Sequence, residues 1–153
     1  MAEGSELGRE AQRYMDAGEL VPDAVVIGMI RQRLADGGGR LANDRFLLDG
    51  FPRSVPQADA LGAMLDELGA PLDAVISLDV PRGELVQRLL GRGRGDDTME
   101  TIERRLEVYE SQTAPLIAYY RERGLLRAVN GLGSMDDVHD EIVAHLPPPP
   151  AAA

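Results

Sequence analysis

The chain contains no lysine, since all 16 basic residues among its 153 are arginine. This absence excludes an intact G-x-x-x-x-G-K-[ST] phosphate loop, a Schiff-base enzyme and a lysine general base. The chain also contains no cysteine, which excludes a disulfide scaffold, a thiolate metal site and a cysteine nucleophile. Its only histidines are His139 and His145, so a multi-histidine metal centre is excluded as well.

Long hydrophobic runs are also missing. No apolar run reaches the ~18 residues of a membrane span and no secretory segment follows Met1, so we expect a cytoplasmic protein with no membrane partner. The formal net charge of −10 opposes nucleic-acid binding over most of the surface, so we expect no nucleic-acid partner. A hydrophobic content of 44% is sufficient for the core of one domain.

Positive charge is nevertheless concentrated in one stretch. Six of the 16 arginines lie between Arg82 and Arg105. The planar guanidinium group is well suited to bidentate phosphate contacts. The alternative interpretation is a solvated surface balanced by nearby acidic residues, which is what most charge runs are.

Hydrophobic periodicity and capping residues predict alternating helices and strands. Strands are predicted at Arg45–Asp49 (buried on both faces), Ala74–Val80 and Leu126–Val129. Helices are predicted for Ser5 to Gly18, Val21 to Asp36 with Val26, Met29, Ile30 and Leu34 on one face, Pro56 to Leu68, Pro81 to about Gly91, Asp97 (capping with Glu100) to Pro115, Pro115 to Arg123, and Ser134 (capping with Asp137) to about Leu146. This alternation predicts an α/β fold with a parallel sheet flanked by helices.

Parallel sheets bind ligands beyond the carboxyl ends of their strands. The chemistry is therefore expected at three places, namely Asp49–Arg53, the residues after Val80, and Asn130–Gly133. In the first, Gly50 allows close backbone approach, Pro52 fixes the local path of the chain, and Arg53 supplies a forked donor for phosphate.

Two side chains near that first segment have specific candidate roles. The amide of Gln57 matches the edge of an adenine, and Asp49 is placed to order water around Mg²⁺ beside phosphates. The alternative is a tight turn with an exposed arginine, a surface glutamine and a polar strand end.

The segment Arg92-Gly93-Arg94-Gly95-Asp96-Asp97 predicts a mobile cationic loop that closes over polyphosphate. Arg94 and Arg105 are eleven residues apart, about three helical turns, and so share a side if the helix starts early.

These motifs together resemble adenylate kinase, most closely the bacterial forms with a short lid. The resemblance rests on Asp16–Asp23, Phe46–Ala58, Gly91–Asp97, Arg105–Tyr109 and Thr113–Leu116, and it covers about residues 3–146. It implies a nucleoside monophosphate kinase fold and reversible phosphoryl transfer from Mg²⁺-bound ATP to AMP, giving two ADP. It also implies a monomer.

The resemblance implies a role for each matching residue. AMP would contact Glu19, Leu20, Val21, Gly50, Phe51, Pro52, Arg53, Gln57, Arg94 and Arg105. ATP would contact Arg88, Arg92 and Gly133. The catalytic set would be Arg53, Arg94, Arg105, Asp96 and Asp97, the two aspartates latching the lid and orienting its arginines.

The sequence departs from the family in one respect. The family's central first strand and lysine-bearing phosphate loop have no counterpart in it, so we expect a domain over residues 1–146 without that front end. Within it, about residues 1–35 are the AMP-binding helical part, 91–97 the short lid, and 147–153 a disordered Pro/Ala tail. Two alternatives stay open: a non-catalytic nucleotide-binding remnant, and a kinase of another nucleoside monophosphate.

Overall fold

The computed structural model describes residues 6–16, 21–36, 46–93 and 97–148. They divide into two compact units. The helical unit contains the described residues up to Pro52 together with Pro56–Pro71, and the sheet unit contains Arg53–Val55 and the described residues from Leu72 onward.

The helical unit consists of α1 (Glu6–Asp16), α2 (Asp23–Asp36) and most of α3 (Val55–Glu67). The helices α1 and α2 pack closely, because a Cβ atom on Gly28 would lie 3.0 Å from a δ-carbon of Leu7. The buried apolar residues of the unit are Ala11, Val25, Leu34, Ala58, Leu61, Met64, Leu65 and Ala70.

The three helices predicted in this unit are confirmed, and the predicted face of α2 includes the buried Leu34 but not the buried Val25. The structure buries Val25 and Leu34, and it leaves Val26, Met29 and Ile30 only half-buried. The sequence of α2 is apolar or small on several faces, so periodicity does not single out the face that meets α1. The predicted end residues Ser5 and Gly18 lie outside the described residues.

The predicted strand at Arg45–Asp49 is wrong over the residues that the structure describes. Phe46–Leu48 form no strand, and Leu47 is 82% exposed. An extended segment becomes a strand only when a neighbour satisfies its backbone N–H and C=O groups. The described part of the chain contains no strand paired with this segment.

The sheet unit is built on two parallel strands, β1 (Val75–Asp79) and β2 (Leu126–Asn130). The other elements of the unit are α4 (Arg82–Gly91), α5 (Met99–Val108), a π-helical turn (Tyr109–Thr113), α6 (Pro115–Glu122) and α7 (Met135–Ala144). Its buried side chains are Ile102, Leu106, Leu116, Tyr120 and Val129. The predicted α/β fold with a parallel sheet is confirmed.

Local signals decide most of the helix ends in the sheet unit. Pro115 is the first residue of α6, where its missing N–H costs no hydrogen bond, and Gly124 follows α6 with a φ of 70°. Ser134 caps α7 in a reciprocal capping box with Asp137, as predicted.

The predicted cap of α5 by Asp97 and Glu100 is wrong. Thr98 is the N-cap, and its side chain accepts a hydrogen bond from the backbone N–H of Thr101 at 3.2 Å. The Asp97 carboxylate is occupied by arginine side chains instead.

Among the described residues, no helix is long and apolar enough to cross a membrane.

Candidate functional site

The carboxyl ends of β1 and β2 lie side by side, with Asp79 opposite Asn130. The backbone N–H of Gly131 extends the pairing by donating to the carbonyl oxygen of Asp79 at 3.0 Å. The side-chain oxygen of Asn130 then accepts from the backbone N–H of Leu132 at 3.0 Å, which turns the chain away from the sheet. Two of the three predicted ligand-binding segments therefore meet at this edge.

Gly131 is buried where this turn crosses β1. A Cβ atom there would lie only 2.4 Å from a γ-carbon of Val80, so no larger residue fits without displacement. The sequence predicts a ligand-binding segment at Asn130–Gly133, with a role for Gly133 and none for Gly131. The structure leaves Gly133 exposed in the loop before α7. A glycine directly after a predicted strand is the signal that could have identified Gly131.

An open cleft of about 670 Å³ lies beyond these strand ends. Its lining is Leu78, Asp79, Val80, Pro81, Leu85, Arg105, Leu106, Tyr109 and Leu132. Most of these side chains are apolar, and Arg105 is the one cation among the described lining residues. The cleft thus combines an apolar wall with a phosphate-binding type of side chain.

The Asp97 carboxylate, just before α5, binds two arginine side chains. Its carboxylate accepts two hydrogen bonds from Arg92, with N–O distances of 2.5 and 2.7 Å, and one from Arg105 at 2.9 Å. The Asp97 side chain is only 1% exposed, whereas those of Arg92 and Arg105 are 35% and 42% exposed. The carboxylate is therefore covered, while both arginine side chains remain partly exposed.

The hydrogen bonds from Arg92 lower the pKa of Asp97 to about 2. Burial acts in the opposite direction, and Arg105 adds a further lowering through its hydrogen bond and charge. Asp97 is consequently ionised at neutral pH, and the three side chains together carry one net positive charge. Such a cluster presents oriented N–H donors to an anion without rearranging them.

The side chain of Arg88, on α4, forms a hydrogen bond with the turn after β2. Its Nε donates to the Glu84 carboxylate at 2.7 Å, and its Nη1 donates to the carbonyl oxygen of Gly131 at 3.0 Å. The predicted ATP-side arginine therefore lies against the same turn that leads to Gly133. This contact joins residues 43 positions apart in the sequence.

The helical unit holds the predicted adenine reader, Gln57, in the first turn of α3. Its amide Nε2 donates to a carboxylate oxygen of Asp23 at 2.6 Å. Val21 is half-buried just before α2, and Gly50 has a φ of 75°, a conformation that favours glycine. Asp49 is exposed in this unit.

Arg53 belongs to the sheet unit, where its carbonyl oxygen accepts a hydrogen bond from the Thr113 hydroxyl at 2.8 Å. Phe51 and Pro52 are half-buried and belong to the helical unit. Four further predicted site residues lie outside the described residues, namely Glu19, Leu20, Arg94 and Asp96. The structure therefore brings together Arg92, Asp97 and Arg105, and it leaves the ligand-binding roles as predictions.

The family profile of adenylate kinase matches residues 1–125. The chain belongs to the adenylate kinase family. This confirms the resemblance drawn from the motifs, and it places the parallel sheet in a nucleoside monophosphate kinase fold.

Individual adenylate kinases are similar over almost the whole chain. That of Leptospira biflexa is 55% identical over 144 residues, covering 92% of this chain and 76% of the relative. That of Kocuria rhizophila is 50% identical over 149 residues, covering 93% and 76%. That of Thermodesulfovibrio yellowstonii is 43% identical over 177 residues, covering 95% and 81%, so it carries residues within the match that this chain lacks.

Proposed function

We propose that this adenylate kinase chain binds AMP and ATP, and that its arginines are the groups that stabilise the transferred phosphoryl group when a lysine-bearing phosphate loop is also present. The observation that carries the proposal is the Arg92–Asp97–Arg105 cluster, with Arg105 also lining the cleft beyond the strand ends. A covered carboxylate holding two half-exposed guanidinium groups is suited to binding phosphate oxygens. Membership of the family makes nucleotides the chemical class of the ligands.

The proposed contacts follow the motif positions. AMP contacts Glu19, Leu20, Val21, Gly50, Phe51, Pro52, Arg53, Gln57, Arg94 and Arg105, and ATP contacts Arg88, Arg92 and Gly133. Phosphoryl transfer needs mainly positioning and positive charge around the equatorial oxygens. In that scheme Asp97 does not touch substrate, and it acts by keeping Arg92 and Arg105 in a fixed orientation.

The proposal includes Mg²⁺ carried with ATP. The described residues contain no group of three or more acidic or histidine side chains able to hold a metal ion on their own. Mg²⁺ commonly keeps several waters and binds through phosphate oxygens and one or two carboxylates. Asp49, exposed in the helical unit, fits the lesser role of holding a metal-bound water. Bound there, the ion would neutralise phosphate charge.

The absence of lysine limits what these 153 residues do by themselves. A lysine-bearing phosphate loop cradles ATP with backbone N–H groups and places an ammonium group on the transferred phosphate. We therefore expect this polypeptide to bind nucleotides without making ADP at an enzymatic rate. A cytoplasmic location, a monomeric state, a short lid at 91–97 and an AMP-binding part at 1–35 stay predictions.

Two measurements on the 153-residue protein test the proposal. Calorimetry with AMP, CMP and UMP should show a preference for AMP, whereas a preference for CMP or UMP would favour a kinase of another nucleoside monophosphate. An assay for ADP formed from ATP and AMP should show no enzymatic turnover. An Arg105→Ala variant serves as the control for contaminating kinase, because only turnover by the chain itself would fall with that substitution.

A further inference from the structure

Asp23 and Gln57 connect the first turns of two helices in the helical unit. Asp23 is the first residue of α2, and Gln57 is the third residue of α3. The Gln57 amide nitrogen lies 2.6 Å from a carboxylate oxygen of Asp23, across 34 positions of sequence. This is a short hydrogen bond to a carboxylate, and such charge-assisted bonds are stronger than neutral ones.

The carboxylate determines which way the Gln57 amide faces. A side-chain amide rotated by 180° exchanges its oxygen and its NH₂ group with little change in shape. With that rotation, Oε1 would lie against a carboxylate oxygen of Asp23. Both oxygens are hydrogen-bond acceptors, so they would repel each other and the hydrogen bond would be lost. Asp23 therefore favours the orientation in which the NH₂ group of Gln57 faces it.

The orientation matters because two purine bases need opposite ones. Adenine presents an acceptor at N1 and a donor at its 6-amino group, which match an amide N–H and an amide oxygen. Hypoxanthine presents a donor at N1 and an acceptor at its 6-oxo group, so it matches the same amide only after the oxygen and the NH₂ group exchange places. The two bases differ little in shape.

We propose that Asp23 is a specificity-determining residue, which fixes the Gln57 amide so that it reads adenine and rejects a 6-oxopurine. The proposal rests on the proposed function, in which Gln57 contacts the AMP base. Asp23 binds one N–H of the amide and assigns the second N–H and Oε1 to the base edge. Asp23 is thus a positioning residue that acts through Gln57, and it discriminates mainly against the wrong base.

The variant Asp23→Asn tests this mechanism because it is isosteric and loses only the charge and the fixed polarity. An asparagine accepts from the Gln57 NH₂ group or donates to its oxygen, so residue 23 no longer disfavours the rotated amide. The test compares the affinities of AMP and inosine 5′-monophosphate by calorimetry. We expect the preference for AMP to fall about tenfold or more, chiefly through tighter binding of the inosine nucleotide.

Two controls separate specificity from folding. Asp66→Asn removes an exposed carboxylate from α3, the helix that carries Gln57, and should leave the preference unchanged. If Asp23→Asn only loosened α2, the affinities for both nucleotides would fall together and the ratio of the two affinities would not change. In a Gln57→Ala background, Asp23→Asn should no longer change the ratio, since the oriented amide is gone.

The outcomes are distinct. A wild-type preference for AMP that persists in Asp23→Asn, or that changes equally with and without Gln57, would overturn the role of Asp23 and leave the proposed function standing. Equal wild-type affinities for the two nucleotides would also overturn it. Binding of neither nucleotide would contradict the proposed function itself, and the role of Asp23 with it.

Discussion

Arg92 binds the Asp97 carboxylate through two parallel hydrogen bonds, with its Nε and Nη2 atoms 2.5 and 2.7 Å from the two carboxylate oxygens. These two bonds also fix the carboxylate that Arg105 contacts, because one of its oxygens accepts a hydrogen bond from Arg105 as well. A single covered anion thus sets the positions of two cations at the candidate site.

Replacing Asp97 by asparagine should therefore destabilise the protein at neutral pH. The isosteric amide cannot accept all three arginine hydrogen bonds with the strength of a carboxylate, and the two guanidinium groups would then repel each other. We expect the melting temperature to fall by at least about 2 °C. The matched control is Glu107→Gln, an exposed carboxylate on α5, which should change the melting temperature little. Equal melting temperatures for both variants and the wild type would contradict this role of Asp97.

The same carboxylate makes stability depend on pH in the acid range. Arg92 holds the pKa of Asp97 at about 2 in the folded protein, below its usual 3.8. The unfolded state therefore takes up the proton more readily, so this stabilisation is complete above about pH 4 and is lost as the pH falls toward 2. The melting-temperature difference between the wild type and Asp97→Asn should shrink over that interval. A difference that stays constant from pH 5 to pH 2 would contradict the lowered pKa.

Gly131→Ala should disrupt the turn after β2. The added methyl group would lie 2.4 Å from a γ-carbon of Val80 and 3.4 Å from the carbonyl oxygen of Asp79, so the turn must move. We expect a loss of about 1–3 kcal/mol in the free energy of unfolding, the usual range for overpacking. Urea denaturation measures this loss. The control Gly83→Ala, in α4 with open space around the new methyl group, should have a neutral or slightly stabilising effect.

Ser134→Ala should weaken the start of α7. The Ser134 hydroxyl accepts from the backbone N–H of Asp137 at 3.2 Å, and the Asp137 carboxylate accepts from the backbone N–H of Ser134 at the same distance. Loss of such a cap costs about 1 kcal/mol. The serine hydroxyl also lowers the pKa of Asp137, so the variant should bring this pKa back toward its usual value of 3.8. Chemical denaturation and an NMR pH titration of Asp137 follow the two effects.

Elements determined by local sequence signals could be predicted well. The apolar run of β1, the capping pair of α7 and the glycine after α6 each depend on residues within a few positions. Phe46–Leu48 could not be assigned from such signals, because an apolar run becomes a strand only when another strand pairs with it. A local signal predicts Asp97 as the cap of α5, but Arg92 and Arg105 bind its carboxylate instead.

The candidate site was predictable in part. The resemblance implies that Asp97 orients Arg105, which the structure shows, but the paired hydrogen bonds from Arg92 to Asp97 are not implied by it. The contacts from Arg88 to Gly131 and from Gln57 to Asp23 span 43 and 34 residues, so no local pattern could reveal them. Both depend on how separate helices and turns pack, which periodicity does not specify.

We claim that this chain binds AMP with Arg53 on its phosphate, and calorimetric titration of the 153-residue protein with AMP measures that binding. Arg53 is exposed in this structure. A charge-assisted hydrogen bond is worth about 1.5–3 kcal/mol, so Arg53→Ala should weaken AMP binding about tenfold or more. Arg121→Ala, which removes an exposed arginine from α6, should leave AMP affinity unchanged. Equal AMP affinities for wild type and Arg53→Ala, or no AMP binding by the wild type, would contradict the claim.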